Sequence, residues 1–144
     1  MKTEIIVSVF NLLSSAKINK VSDSGKIKII KAMREMKPIA TDFDELVKDA
    51  REKLQGENHE EMIEKAQRWQ QKGDEVDLTD EEKIEVNTYF AEYGQRIDTC
   101  ITEEAKKEHE MNFTKLTDEE FEGLLSSNDW DVKTIMDIQD ALCD

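Results

Sequence analysis

Eight apolar residues, Ile29, Met33, Met36, Ala40, Phe43, Val47, Ala50 and Leu54, follow one another at alternating intervals of four and three. That spacing keeps them on one stripe of a helix, because about 3.6 residues complete a turn. Pro38 lies inside the run, where it removes a backbone hydrogen bond and crowds the preceding turn at a cost of about 3 kcal/mol. The apolar phase does not slip across it, and two unrelated helices joined at Pro38 would have no reason to keep register. The pattern predicts one long helix over residues 24–55, kinked near Pro38, with a break at Met36–Lys37 as the alternative. Gln55–Gly56 supplies the stop, since glycine can take the left-handed conformation that ends helices.

The rest of the chain reads in the same way. Ile6, Val9, Leu13 and Ala16, with Phe10 beside them, form a short helical stripe after a Thr3 cap. The β-branched run Ile5–Val9 supports a strand as the competing reading. Ser14–Gly25 is a polar loop. Asn58 and Glu61 have the spacing of a capping box and open a short helix carrying Met62, Ala66 and Trp69, which Gly73 ends. Thr79, answered by Glu82, opens a second long helix whose stripe is Val86, Phe90, Tyr93, Ile97, Cys100 or Ile101, and Ala105. Two long helices separated by a short helical connection fold back as an antiparallel pair.

Beyond them, Met111–Lys115 alternates and predicts a brief extended stretch. Thr117 caps a further helix, Glu120 answers it, and Leu116 can staple against Phe121. Ser126-Ser127-Asn128 breaks the chain. A last helix then runs from about Asp129 with Trp130, Val132, Ile135, Ile138 and Leu142. The expectation is an all-α fold: a short N-terminal helix, an antiparallel pair of long helices joined by a short connecting helix, and a C-terminal helical hairpin. With 144 residues the chain suits a single domain over 1–144, in which 1–110 carries the long pair and 111–144 the small C-terminal subregion.

Composition agrees with two-sided helices. Apolar residues make up 38% and charged residues another 38%, with a single proline and five glycines. No apolar run approaches the roughly 20 residues that span a bilayer. The opening Met1-Lys2-Thr3-Glu4-Ile5-Ile6-Val7-Ser8-Val9-Phe10 only loosely imitates a secretion signal, lacking a small-residue cleavage site after Leu13. Cys100 and Cys143 are too few for a disulfide framework. Cys100 is expected in the core and Cys143 near solvent, and a reducing cytoplasm suits both.

The net charge of −14 is unevenly spread. Residues 1–37 hold eight bases and three acids, whereas residues 38–144 hold twelve bases and thirty-one acids. Lys26, Lys28, Lys31, Arg34 and Lys37 form a basic run on the first part of the long helix. Phosphate binding is one use for such a run, but the acidic remainder repels a polyanion and argues against direct nucleic-acid contact. Docking on an acidic protein surface fits better: a partner, a second copy, or the chain's own acidic helices.

Candidate chemistry is sparse. Leu-Thr-Asp-Glu-Glu occurs at 78–82 and again at 116–120, resembling the helices of calcium-binding hands. The ion there is held by a loop with regularly spaced oxygens and a glycine, which neither Asp74-Glu75-Val76-Asp77 nor Asn128-Asp129-Trp130-Asp131 provides. Glu108-His109-Glu110 would need further converging ligands to hold zinc, and His59 is the other histidine, so both read as solvated surface groups. Cys143 has no histidine nearby in sequence, no serine elbow is present, and the five glycines are isolated, leaving no phosphate cradle. The expectation is a non-enzymatic protein without cofactors or metals.

The order of features resembles a loose group of small, uncharacterised proteins encoded by phages and prophages. Their shared pattern is a short apolar helix, a basic loop and a long helix, matched here by Ile27–Leu54 with Glu35-Met36-Lys37-Pro38 and Ala50-Arg51-Glu52-Lys53-Leu54. A second helical stretch follows, closing on Met111-Asn112-Phe113-Thr114-Lys115-Leu116-Thr117-Asp118-Glu119-Glu120-Phe121 and a terminal helix. Residues 57–80 depart from the pattern as an insertion would. The resemblance implies a phage or mobile-element context, in a bacterial cytoplasm or on a virion, with a role in virion assembly, packaging accessory work or host interference. An acidic mimic of nucleic acid that blocks a DNA-binding host protein is the competing reading. Lys48, Arg51, Lys53, Lys65, Arg68, Lys106 and Lys107 interrupt the acidic rows that mimicry requires.

Overall fold

The computed structural model describes residues 1–144 and is all-helical, without strands. Its elements are α1 (Thr3–Ser14), α2 (Asp23–Lys53), α3 (His59–Lys72), a 3₁₀ turn (Gly73–Glu75), α4 (Asp80–Ala105), α5 (Asp118–Ser127) and α6 (Val132–Leu142). No helix is long and apolar enough to cross a membrane. The chain divides into two compact units, one formed by Met1–Glu45 with Glu104–Asp144 and the other by Leu46–Glu103. The boundary that the sequence suggests at residue 110 falls inside the first of these.

In the first unit, Ile6, Val9 and Leu13 of α1 are buried at the predicted helical spacing, so the strand reading of Ile5–Val9 is set aside. Thr3 is not the cap. Lys2 occupies that position without a side-chain bond, and Thr3 begins the helix fully buried. Its amide donates to the Lys107 carbonyl at 3.0 Å, and its hydroxyl bonds the same carbonyl at 3.2 Å and His109 Nε2 at 2.8 Å. The N-terminal ammonium adds bonds to the His109 carbonyl at 2.8 Å and Glu108 at 3.0 Å. Tertiary partners thus serve the free donors of this helix start, work that a local cap does elsewhere.

Helix α2 continues through Pro38 as one element. Ile29, Met36, Ala40 and Ala50 are buried, and Met33, Phe43, Val47 and Leu54 are half-buried, so the whole heptad seam faces inward. Ile29 and Met36 join Ile6, Val9, Leu13, Leu116, Phe121, Leu124, Ile138 and Leu142 in one core cluster. Leu116 and Phe121, the predicted staple, lie in it together. Met111–Lys115 forms no strand, yet Met111, Phe113 and Lys115 are half-buried while Asn112 and Thr114 are exposed, the alternation of an extended segment. Helix α6 starts later than expected: Asp131 caps it, accepting from the Thr134 amide at 2.8 Å. Trp130 precedes it, and Val132 is 72% exposed.

The second unit joins the end of α2 to α3 and most of α4. Tyr89 accepts from the Gly56 amide, and Tyr93 donates to the Arg51 carbonyl, so α4 ascends as α2 descends. This is the expected antiparallel run. Gly73 takes φ 57° and ends α3 in the left-handed region, whereas Gly56 has no positive φ. Gly56 is closely packed instead: a β-carbon there would lie 3.1 Å from both the Tyr89 ring and Asn58 Oδ1, so those neighbours would have to give by a few tenths of an ångström. Asn58 precedes α3 without a side-chain bond, because its ψ of 16° does not aim the amide at the helix start. Thr79 and Glu82 do form their reciprocal pair, at 3.1 and 3.3 Å. Cys100 is exposed, contrary to expectation, and Ile101, four residues after buried Ile97, is half-buried. Between the two alternatives, the helical period favours the latter.

Candidate protein-contact site

The buried side of α2 near its start is Gly25, Ile29, Ala32 and Met36. At about 100° per residue, Ile27, Ile30, Lys31, Arg34 and Lys37 fall on the opposite side. Ile27 is 54% exposed and Ile30 44%, and the three cations beside them are also exposed. Single exposed apolar residues are ordinary. Two β-branched side chains within one turn, followed by three cations along the same face, form a continuous apolar and basic ridge.

The five basic residues of α2 do not act as one group. Lys28 points along the flank of the helix, where Nζ meets Glu120 Oε1 at 2.6 Å and both side chains are largely buried. Glu35, on the same flank, accepts from the Asn112 amide. The tail therefore covers one side of α2 and claims Lys28, while Lys26 is half-buried and Lys31, Arg34 and Lys37 remain on the surface. Lys28 is the part of the basic run that pairs with the chain's own acids.

Glu120 joins two demands at one carboxylate. Oε1 also receives the Thr117 hydroxyl at 3.0 Å, and the Glu120 amide donates to Thr117 Oγ1 at 3.2 Å, completing a capping box for α5. Oε2 is buried without a hydrogen bond and lies against Gly25, where an added β-carbon would sit 3.1 Å away. The Lys28 bond holds the carboxyl below its ordinary pKa, with the Thr117 bonds helping, against burial. This node fixes α5 to α2 and so sets which face of α2 stays open.

Two concave regions lie in the first unit. A groove of about 330 Å³ between α1 and α6 is lined by Glu4, Ile5, Ser8, Val9, Asp137 and Asp140. A cleft of about 590 Å³ is lined by residues of the 19–22 loop with Thr117, Glu119 and Glu120. Neither lining includes a histidine or a cysteine. No cluster of three or more His, Cys, Asp or Glu side chains is placed to hold a metal ion. His59 is buried, not solvated: it bonds the Tyr89 hydroxyl and packs against Tyr93 with ring centres 5.0 Å apart. His109 is half-buried against Thr3. Cys143 is half-buried at the core edge, and burial pushes its thiol pKa up, which disfavours the nucleophilic thiolate.

The cations of this face stand out in the sequence as a run, whereas the isoleucines between them do not. The signal was present, since Ile27 and Ile30 lie out of phase with the 29–33–36–40 seam and cannot share its buried side. Comparison with protein-family models, curated proteins and solved structures gives no match.

Proposed function

We propose that this chain acts by protein–protein contact and not by catalysis, with the Ile27–Lys37 face of α2 as its working surface and an acidic protein surface as its partner. The observation that carries the reading is the pair Ile27 and Ile30, uncovered beside Lys31 and Arg34 on a helix whose other sides are packed or tied down. An apolar centre with a charged margin is the composition of protein-binding patches, where burial supplies affinity and charge supplies steering. We take the context of that contact from the resemblance to phage and prophage proteins: virion assembly or packaging accessory work. The mimic reading ranks lower. In the second unit, Lys65 pairs with Glu61 and Glu82, and Arg68 with Asp77 and Glu64, so bases sit among the acids that mimicry would present in rows.

A photo-crosslinking residue placed at position 30, and separately at exposed Gln71, tests the reading in cells expressing the chain. Specific adducts are expected from position 30 and not from position 71. Equal labelling at both, or none at either, contradicts a working surface on α2.

A further inference from the structure

The first unit carries a second surface of opposite character. The α1–α6 groove has Ile5, Val9 and Ser8 in its lining, with Glu4, Asp137 and Asp140 supplying three carboxylates. Ile5 is 42% exposed, and on α6 Met136 is 56% and Val132 72% exposed. Val132, Met136 and Asp140 recur every four residues and share one face of α6. Carboxylates and uncovered apolar groups stand together here as cations and uncovered apolar groups stand together on α2. No salt bridge engages Lys31, Arg34, Lys37, Glu4, Asp137 or Asp140 within the chain.

We infer that the occupant of the α1–α6 groove is the α2 ridge of a second copy of this chain. This rests on the contact reading above and names its partner. Ile27 and Ile30 cover the apolar groups of the groove, while Lys31, Arg34 and Lys37 meet Glu4, Asp137 and Asp140. Both surfaces of each copy are different, so the contact is head-to-tail: each molecule offers a ridge to one neighbour and a groove to another. Such contacts build closed rings where the rotation closes, or open filaments where it does not. Lys28 takes no part, since Glu120 holds it inside the fold.

Pairing of ridge with groove has a signature that pairing of ridge with ridge lacks. Two variants are made in the full chain: Lys31→Glu with Arg34→Glu on the ridge, and Asp137→Lys with Asp140→Lys in the groove. The ridge positions are exposed on the unburied side of α2, and lysines near the end of α6 favour its dipole, so helicity by circular dichroism is expected unchanged. Sedimentation velocity over a concentration series then reads the assembly. Wild type is expected to associate, and each variant alone to associate more than about tenfold more weakly, because like charges are pressed together. Mixed in equal amounts, the variants are expected to recover association, because an intact ridge meets an intact groove and the reversed ridge and reversed groove again present opposite charges. A wild type that stays monomeric, a variant that assembles like wild type, or a mixture no more associated than either variant alone each overturns the inference. Adducts from position 30 to a different protein, with none between copies, would overturn the inference and leave the contact reading standing.

Discussion

The same five residues, Leu-Thr-Asp-Glu-Glu, open α4 in one unit and α5 in the other, and the two copies have been put to different use. Both make the reciprocal cap, and both leucines, Leu78 and Leu116, are buried. The glutamates differ. Glu82 keeps 34% of its side-chain surface and meets Lys65 at 3.5 Å, whereas Glu120 keeps 8% and meets Lys28 at 2.6 Å. A local motif therefore determines where a helix begins, while its surroundings determine whether the cap becomes a structural joint. Leu116 also enters the large core cluster, in which all the buried members belong to the first unit. The unit with the denser core and the internal joint is the one that presents the ridge and the groove.

Truncation of the two leucines will separate the copies most strongly. Leu116→Ala is expected to cost about 2–5 kcal/mol toward the upper end, because the neighbours in a dense core cannot collapse into the cavity. Leu78→Ala is expected at the lower end, and denaturant unfolding of both variants measures the difference. An equal or reversed order would break the contrast between the cores.

Removing the cation comes next. Lys28→Met strands the Glu120 carboxylate and is expected to cost about 1–3 kcal/mol, a hydrogen bond to a charged group being lost from a largely buried site. Lys65→Met is expected to have a smaller effect, since solvent reaches Glu82. The pair also predicts a pH dependence. The Glu120 pKa is lowered on folding, so its contribution is complete above the ordinary value of 4.5 and is lost as pH falls through the lower folded value. Urea midpoints measured downward from pH 6 are expected to fall with a steeper acid limb in wild type than in Lys28→Met. Identical limbs would mean that the joint contributes nothing.

Smaller still is the cap itself. Thr117→Ala is expected to cost about 0.5–2 kcal/mol and to speed amide exchange across Asp118–Leu125. Unchanged exchange there would show that packing alone holds α5. The ridge substitutions Lys31→Glu and Arg34→Glu are expected to shift monomer stability by no more than about 0.5 kcal/mol, as exposed residues away from the joint do.

Much of this was legible in the chain. The 29–54 seam kept its phase through Pro38, and the helix ran on, because periodic burial outweighs one missing backbone bond. The caps at Thr79 and Thr117 were legible because donor and acceptor lie three residues apart. What was hidden depends on distant chain. Thr3 has the chemistry of a cap, but Lys107 and His109, more than a hundred residues away, engage its hydroxyl. Gly56 has the place of a left-handed stop, yet its φ is not positive, and the Tyr89 ring and Asn58 side chain stand close to it instead. The five-cation run resolved into an internal member and exposed ones only once α5 lay against α2, since neither charge nor spacing distinguishes Lys28 from Lys31.

Hydrogen exchange of the full chain, compared between dilute and concentrated solution, tests most directly whether the first unit is the contacting one. Added protection with concentration is expected in three places: residues 27–37 of α2, 4–9 of α1 and 132–140 of α6. The added protection is expected to vanish as ionic strength rises toward 1 M, where the screening length falls to about 3 Å. Residues 59–103 are expected to exchange alike at both concentrations. Protection gained within 59–103, or gained nowhere, would contradict the account.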